Sequence, residues 1–201
     1  WYDLMSSESR LTSYFACASG QAPGKHWRKL GRTLVSQDNH SGMVSWTGTM
    51  FEYLMPNLFL PCYKNSLLYE SSKFCVHAQK QKAAGRIWGI SESCFYAFDP
   101  SLSYKYKAHG VQRLALKRKM DTESVISPYS AFLALSIDPV GAARNLRAME
   151  KLGMRGKYGF YEAADFTPSR QTGGKYKIVR SYMAHHLGMS LISIDNLLNE
   201  N

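Results

Sequence analysis

Ser127-Pro-Tyr-Ser-Ala-Phe-Leu-Ala-Leu-Ser-Ile-Asp-Pro-Val-Gly-Ala-Ala-Arg-Asn-Leu-Arg-Ala-Met-Glu-Lys-Leu-Gly153 holds two helix starts in close succession. At Ser127-Pro128 and at Asp138-Pro139, a side chain able to accept a free N–H precedes a proline, whose fixed φ and missing N–H suit the first helical turn. Ala142, Leu146 and Met149 then fall on one face, and Gly153 takes the left-handed conformation that ends a helix. Outward from this stretch, a final helix is expected from about Ser181 through Met183, Leu187, Leu191 and Ile194 to Leu198. Toward the N-terminus, Leu4, Leu11, Tyr14, Phe15 and Ala18 recur at helical spacing before Gly20. Thr47 or Thr49 can cap a helix through Met50, Phe51, Tyr53 and Leu54 up to Pro56. Asn65 or Ser66 can cap a longer one through Leu68, Phe74, Cys75 and Ala78 to Gly85. Gln21–Gly42, Arg86–Val111 and Gly153–Thr172 lack periodicity and read as long aromatic loops, and no period-2 run is long enough to build a sheet. The expectation is an all-α fold, with only minor pairings around Tyr158–Tyr161.

The 201 residues, 45% of them hydrophobic and 20% charged, are enough to bury a sizeable core, which excludes a disordered chain. No apolar run approaches the ~18 residues that span a bilayer; Met50–Leu60 is broken by Glu52, Pro56 and Asn57, and Ala131–Ile137 is too short. Cys17, Cys62, Cys75 and Cys94 have no CxxC spacing, so buried free thiols are expected in place of a disulfide or zinc scaffold. The chain opens at Trp1 without an initiator Met or signal-peptide pattern, as a segment of a longer polypeptide would.

The net charge of +10 raises the question of an anionic partner. Lys105, Lys107, Arg113, Lys117, Arg118 and Lys119 form the densest basic run, with Tyr104 and Tyr106 interleaved, as single-stranded nucleic acid would require. Leu114 and Leu116 interrupt the charges, so a solvated face is expected and no nucleic acid. His185 and His186 are adjacent, which on a helix sets them about 100° apart and argues against a shared metal. Neither a Walker spacing nor a Gly-x-Ser-x-Gly elbow is present.

The chain has only fifteen acids, and two lie inside Ser-Glu-Ser triplets, at Glu8 and Glu92; a third, Glu162, lies in Tyr158-Gly-Phe-Tyr-Glu-Ala-Ala-Asp165. Glycoside chemistry needs two carboxyl groups flanking one bond, one to protonate the leaving oxygen and one to attack carbon or activate water. Flanking hydroxyls can orient each carboxylate, and Trp46, Trp88, Tyr104, Tyr106 and Tyr161 have faces that suit sugar rings. Glu52, amid Met50, Phe51, Tyr53 and Leu54, reads either as a buried, satisfied acid or as a cleft residue. Glu162 can bind a sugar hydroxyl, tune the pair, or serve structure alone. Asp3 can contact substrate or favour a helix N-terminus, and one of the two histidines can face the cleft.

Six strings carry a resemblance: Tyr2-Asp-Leu-Met-Ser-Ser-Glu-Ser-Arg-Leu11, His26-Trp, Val44-Ser-Trp-Thr-Gly-Thr-Met-Phe-Glu-Tyr-Leu-Met-Pro56, Trp88-Gly-Ile-Ser-Glu-Ser93, Tyr158-Gly-Phe-Tyr-Glu-Ala163 and Arg180-Ser-Tyr-Met-Ala-His-His-Leu-Gly-Met-Ser190. In order and in coverage they resemble the glycoamylase-like domain of cyclic β-1,2-glucan synthases. The resemblance implies an (α/α)6 toroid, of which residues 1–201 would form the C-terminal part of a single domain. It implies a retaining transglycosylase that closes linear β-1,2-glucan into a ring and needs no cofactor, with hydrolysis of the same glucan as the alternative. By motif position Glu92 matches the nucleophile and Glu8 the general acid/base. Asp3, Trp46, Glu52, Trp88, Tyr104, Tyr106, Tyr161, Glu162, Arg180, Tyr182, His185 and His186 become candidates for contacting substrate. The resemblance further implies a cytoplasmic domain of a large inner-membrane protein with other catalytic domains as partners.

Overall fold

The computed structural model describes residues 2–171 and 173–199; Trp1, Thr172, Glu200 and Asn201 lie outside them. The chain runs α1 (Arg10–Ala18), α2 (Lys25–Lys29), β1 (Leu34–Gln37), β2 (His40–Met43), α3 (Met50–Leu54), α4 (Leu67–Ala83), β3 (Glu92–Phe98) and β4 (Tyr104–Ala108). It continues through β5 (Val125–Ile126), α5 (Pro128–Leu133), α6 (Pro139–Lys151), β6 (Arg155–Gly156), β7 (Gly159–Phe160), β8 (Ala163–Asp165), β9 (Lys177–Val179) and α7 (Ala184–Asn199).

Three of the four expected caps form, while Ser127 makes no side-chain cap bond ahead of α5. Asp138 accepts the Gly141 N–H ahead of α6, Ser66 accepts the Tyr69 N–H ahead of α4, and Thr49 and Glu52 exchange bonds as a capping box on α3. The first helix starts at Arg10, not near Leu4: Leu4 instead bridges to Gly31, and Ser7 to Ser9 knot a turn in which the Ser7 Oγ takes the Ser9 N–H. The last helix starts at Ala184, because the Ser181 carbonyl is already held by the Glu162 N–H.

The all-α expectation is wrong. Among the described residues 44% are helical and 18% are strand, in several small antiparallel sheets, so the architecture is mixed α/β and not the (α/α)6 toroid. β1–β2 and β6–β7 are hairpins, β3–β4 is a longer hairpin, and β5-β8-β9 make a three-stranded sheet. The strands run from two to seven residues, too short for alternation to stand out. The turns were the better signal. Asp38 and Asn39 both take positive φ, 49° and 62°, as a two-residue hairpin turn matched to strand twist requires. Asp99 Oδ1 accepts the Ser101 and Ser103 N–H groups at 2.9 and 3.0 Å, fixing the turn between β3 and β4.

One main core joins α3, α4, α5 and α6 through Tyr53, Leu54, Phe74, Leu133, Ala142 and Met149, all nearly or fully buried. Gly42 lets β2 lie flat on α4, since a Cβ there would come within 2.8 Å of the Phe74 side chain. A second, smaller cluster lies around Cys94, Val125, Ala163 and Val179. Asp165, fully buried, bonds Arg170 at 2.6 Å, and Arg170 reaches Glu123 at 3.0 Å, tying β8 to the segment ahead of β5. All four cysteines are free; Cys75 and Cys94 are buried, whereas Cys17 and Cys62 are only half-buried. Among the described residues no helix is long and apolar enough to cross a membrane, and no three His, Cys, Asp or Glu side chains are grouped to hold a metal ion.

Candidate active site

The segment Trp88–Glu92 has no strand neighbour until it enters β3, so its backbone groups need other partners. Buried side-chain amides supply them. Asn145 of α6 accepts the Trp88 N–H at 3.1 Å and donates to the Trp88 carbonyl at 2.7 Å; Gln79 of α4 does the same for Ile90, at 2.9 and 2.8 Å. Gly89, at φ 135°, lets the chain pass α5 so closely that a Cβ would lie 2.6 Å from Ser130 Oγ. Ser91 Oγ accepts the Phe51 N–H at 3.0 Å and bonds the Tyr129 hydroxyl at 2.8 Å, and that hydroxyl donates to the Glu92 carbonyl at 2.9 Å. Glu92 therefore leaves a rigid mount on α4, α5 and α6.

Glu8 comes from the turn ahead of α1. The Ser7 hydroxyl donates to Glu8 Oε2 at 3.0 Å. Two residues on, the buried Arg10 guanidinium bonds the carbonyls of Met5 and Tyr53, each at 3.3 Å, and Asn57 Oδ1 at 3.0 Å, fastening the turn to α3 and the turn after it. Burial lowers the Arg10 pKa to about 10.

Glu8 and Glu92, remote in sequence, are close enough for the charge of one to act on the other. Burial, then the charges of Glu8 and Glu52, raise Glu92 to about 6, against the pull of the Tyr106 hydroxyl, which donates to Glu92 Oε2 at 3.4 Å. Glu8 is also raised, by burial and the charge of Glu52, against its own backbone N–H and the Ser7 hydroxyl.

Glu52 is closed off. Its carboxylate accepts from the hydroxyls of Ser45, Thr47 and Thr49 and the backbone N–H groups of Thr47 and Thr49, at 2.7 to 3.2 Å. Glu162 is equally enclosed: Oε1 accepts the Cys94 N–H at 3.1 Å, and Oε2 lies 2.9 Å from His186 Nδ1. The His186 ring stacks on Tyr129, centroids 3.7 Å apart and planes 9° from parallel. The Tyr106 ring stands tilted by 33° to the same histidine, centroids 6.2 Å apart.

Of the other residues singled out in the sequence, Trp88 is buried in the main core, and Tyr104 packs against Phe98 and Tyr96 beside the second cluster. Neither offers a free ring face on the carboxylates. Trp46 is 58% exposed, beside the Glu52 cap, and Asp3 is exposed at the bridge to Gly31. Tyr161 and Tyr182 pack ring to ring at 5.3 Å, with Arg180 over Tyr161. Burial, then the His186 charge, lower the His185 pKa, with Glu162 opposing. The Tyr161 group borders a cavity of about 230 Å3, lined also by Phe132, Tyr158, His186 and Leu191; neither Glu8 nor Glu92 lines it. Lys107 of the basic run is paired with Glu123 at 2.8 Å, while Lys117, Arg118 and Lys119 remain exposed.

The residues that sequence reasoning passed over are those that hold the site: Tyr129, Arg10, Gln79 and Asn145. Only Tyr129 carried a local signal, standing directly after the Ser127-Pro128 helix start.

Comparison with known proteins places the chain. It is 44% identical over 200 residues to the cyclic β-(1,2)-glucan synthase NdvB of Rhizobium meliloti (strain 1021), an alignment covering 98% of this chain but only 7% of that protein. A β-1,2-glucanase from Parabacteroides distasonis superposes with a TM-score of 0.62 at 15% identity, over 94% of this chain and 26% of that one. An endo-β-1,2-glucanase from Chitinophaga pinensis, solved with sophorotriose and glucose, superposes with a TM-score of 0.57 at 17% identity, over 83% and 41%. The glycoamylase family model, described as "Putative glucoamylase", matches residues 2–201, and the chain belongs to that family.

Proposed function

We propose that this chain is part of a single carbohydrate-active domain that cyclises linear β-1,2-glucan by retaining transglycosylation. The observation that carries the reading is a pair of half-buried carboxyl groups from distant segments, Glu8 oriented by the Ser7 hydroxyl and Glu92 by the Tyr106 hydroxyl, both raised above the ordinary carboxylate range first by burial. The 44% identity to a cyclic β-(1,2)-glucan synthase supports the substrate class.

In this reading, ionised Glu92 attacks the anomeric carbon of a glucosyl unit. The bond from that carbon to the glycosidic oxygen breaks, and protonated Glu8 passes its proton to the departing oxygen. Glu8, now a carboxylate, takes the proton of a hydroxyl at the far end of the same chain. That oxygen attacks the anomeric carbon, the ester to Glu92 breaks, and a ring forms with both carboxyl groups restored. No cofactor is needed. Water in place of the incoming hydroxyl gives hydrolysis, the second reading, which the likeness to two β-1,2-glucanase structures favours at the level of fold.

The working form carries one proton, on Glu8, with Glu92 ionised. Burial raises both carboxyl groups, Glu92 to about 6, so Glu92 is ionised above that pH while burial favours the proton on Glu8. Sugar contacts are assigned to Tyr106, Tyr161, Tyr182, Arg180, His185, Trp46 and Asp3; Trp88, Tyr104 and Glu52 are assigned to the fold. The 7% coverage of NdvB supports a domain within a larger polypeptide, with other domains as partners; a cytoplasmic place in an inner-membrane protein is part of the same proposal. The test is incubation of the full-length protein with linear β-1,2-glucan and mass analysis. Products one water lighter than the linear oligomers are expected; new reducing ends alone would establish the hydrolase, and unchanged glucan would reject both.

A further inference from the structure

The Glu162–His186 pair lies behind the carboxylates, and two routes lead from it to Glu92. One runs through the backbone: Glu162 Oε1 holds the Cys94 N–H, two residues along β3 from Glu92, at 3.1 Å. Asp165 does the same for the Tyr96 N–H at 3.0 Å, so alternate N–H groups on this edge of β3 are taken by buried carboxylates in place of a strand. The other route runs through rings. His186 stacks flat on Tyr129, whose hydroxyl donates to the Glu92 carbonyl, and its ring lies 6.2 Å from that of Tyr106 and tilted by 33° to it; the Tyr106 hydroxyl reaches the Glu92 carboxylate.

Both members of the pair are enclosed, Glu162 at 4% exposure and His186 at 3%. Each carboxylate oxygen of Glu162 already has a protein partner, which leaves little for a sugar hydroxyl. Burying such a pair is expensive unless its polar atoms are hydrogen-bonded, as both oxygens of Glu162 are. We propose that Glu162 and His186 form a positioning couple, fixing the main chain and carboxylate of Glu92 through Cys94, Tyr129 and Tyr106 without touching substrate. The inference rests on the reading of Glu92 as nucleophile.

In the full-length protein, Glu162→Ala should lower kcat on β-1,2-glucan by about 10- to 100-fold, the cost of a displacement on the order of 1 Å at the reacting group, with KM within about twofold. Glu162→Gln keeps an oxygen for the Cys94 N–H and should recover most of that loss. Tyr129→Phe keeps the stacked ring and removes only the hydroxyl, so it tests the same link without emptying the core. Combined with Glu162→Ala, it should cost less than the product of the two single effects, as for groups acting in one line. A Glu162→Ala protein that melts earlier but turns over at the wild-type kcat would overturn the couple, as would effects of Glu162→Ala and Tyr129→Phe that multiply. An active Glu92→Gln protein would overturn the couple and the nucleophile together; an inactive one beside a fully active Glu162→Ala would reject the couple alone.

Discussion

Replacing Glu92 by Gln removes a charge that the fold resists and that the proposed chemistry needs, so stability and activity should move in opposite directions. The Glu92 carboxyl is held at about 6, above its ordinary 4.5, first by burial and then by the charges of Glu8 and Glu52. A raised carboxylate pKa means the folded state binds the proton more tightly than the unfolded chain. Wild-type stability is therefore highest below pH 4.5 in this respect and falls as pH rises through about 6. The shift corresponds to at most about 2 kcal/mol, and solvent at this half-exposed side chain reduces it to about 1 kcal/mol. Glu92→Gln should consequently raise Tm by about 2–4 °C at pH 7.5, with the difference vanishing near pH 4. Turnover should fall by about 10^4-fold or more, the scale seen when a covalent nucleophile is removed. Calorimetry across pH, with a glucan assay on the same preparations, reads both. Wild-type turnover in the variant would refute the role of Glu92. A Tm lowered at pH 7.5 would refute the electrostatic account of the site.

Tyr106→Phe removes the hydroxyl that lowers the Glu92 pKa, so the pH limb near 6 in kcat/KM should move upward; a downward move would contradict the hydrogen bond. Glu8→Gln should stall glucans with poor leaving groups yet still allow the first step with an activated leaving group, read as a burst of released aglycone. Glu52→Ala strands the hydroxyls and N–H groups of Ser45, Thr47 and Thr49 and should cost about 2–4 kcal/mol in denaturant unfolding. Gly89→Ala, strained at φ 135° and crowded by Ser130 Oγ and the Ser127 carbonyl, should cost about 2–3 kcal/mol and lower activity, since Glu92 is three residues away.

Local chemistry was legible. Ser66, Thr49 and Asp138 each bond the N–H groups their positions before an apolar run imply, and Ser7 orients Glu8 as a neighbouring hydroxyl can. Glu52 turned out to be satisfied by five donors from a single loop, the bland half of its reading. The strands were not legible, because most span two to four residues and the longest pairing, β3 with β4, shifts register between Cys94 and Phe98, so no sustained period results. For β3, Glu162 and Asp165 replace part of the ladder, so its stability comes from residues some seventy positions away. The same non-local character hid the amide clamps of Gln79 and Asn145 and the stack of Tyr129 on His186. Trp88, an aromatic residue four positions before Glu92, read as a candidate sugar contact and packs in the main core, while Asn145 holds its backbone N–H and carbonyl.

A covalent step at Glu92, with Glu8 as its proton partner, leaves a stereochemical signature. Proton NMR of the first product formed from linear β-1,2-glucan, read before mutarotation, reports the anomeric configuration directly. Retention, with the new bond or new reducing end appearing as β, is what two displacements at Glu92 predict; an α-configured first product would mean one direct displacement and would contradict it.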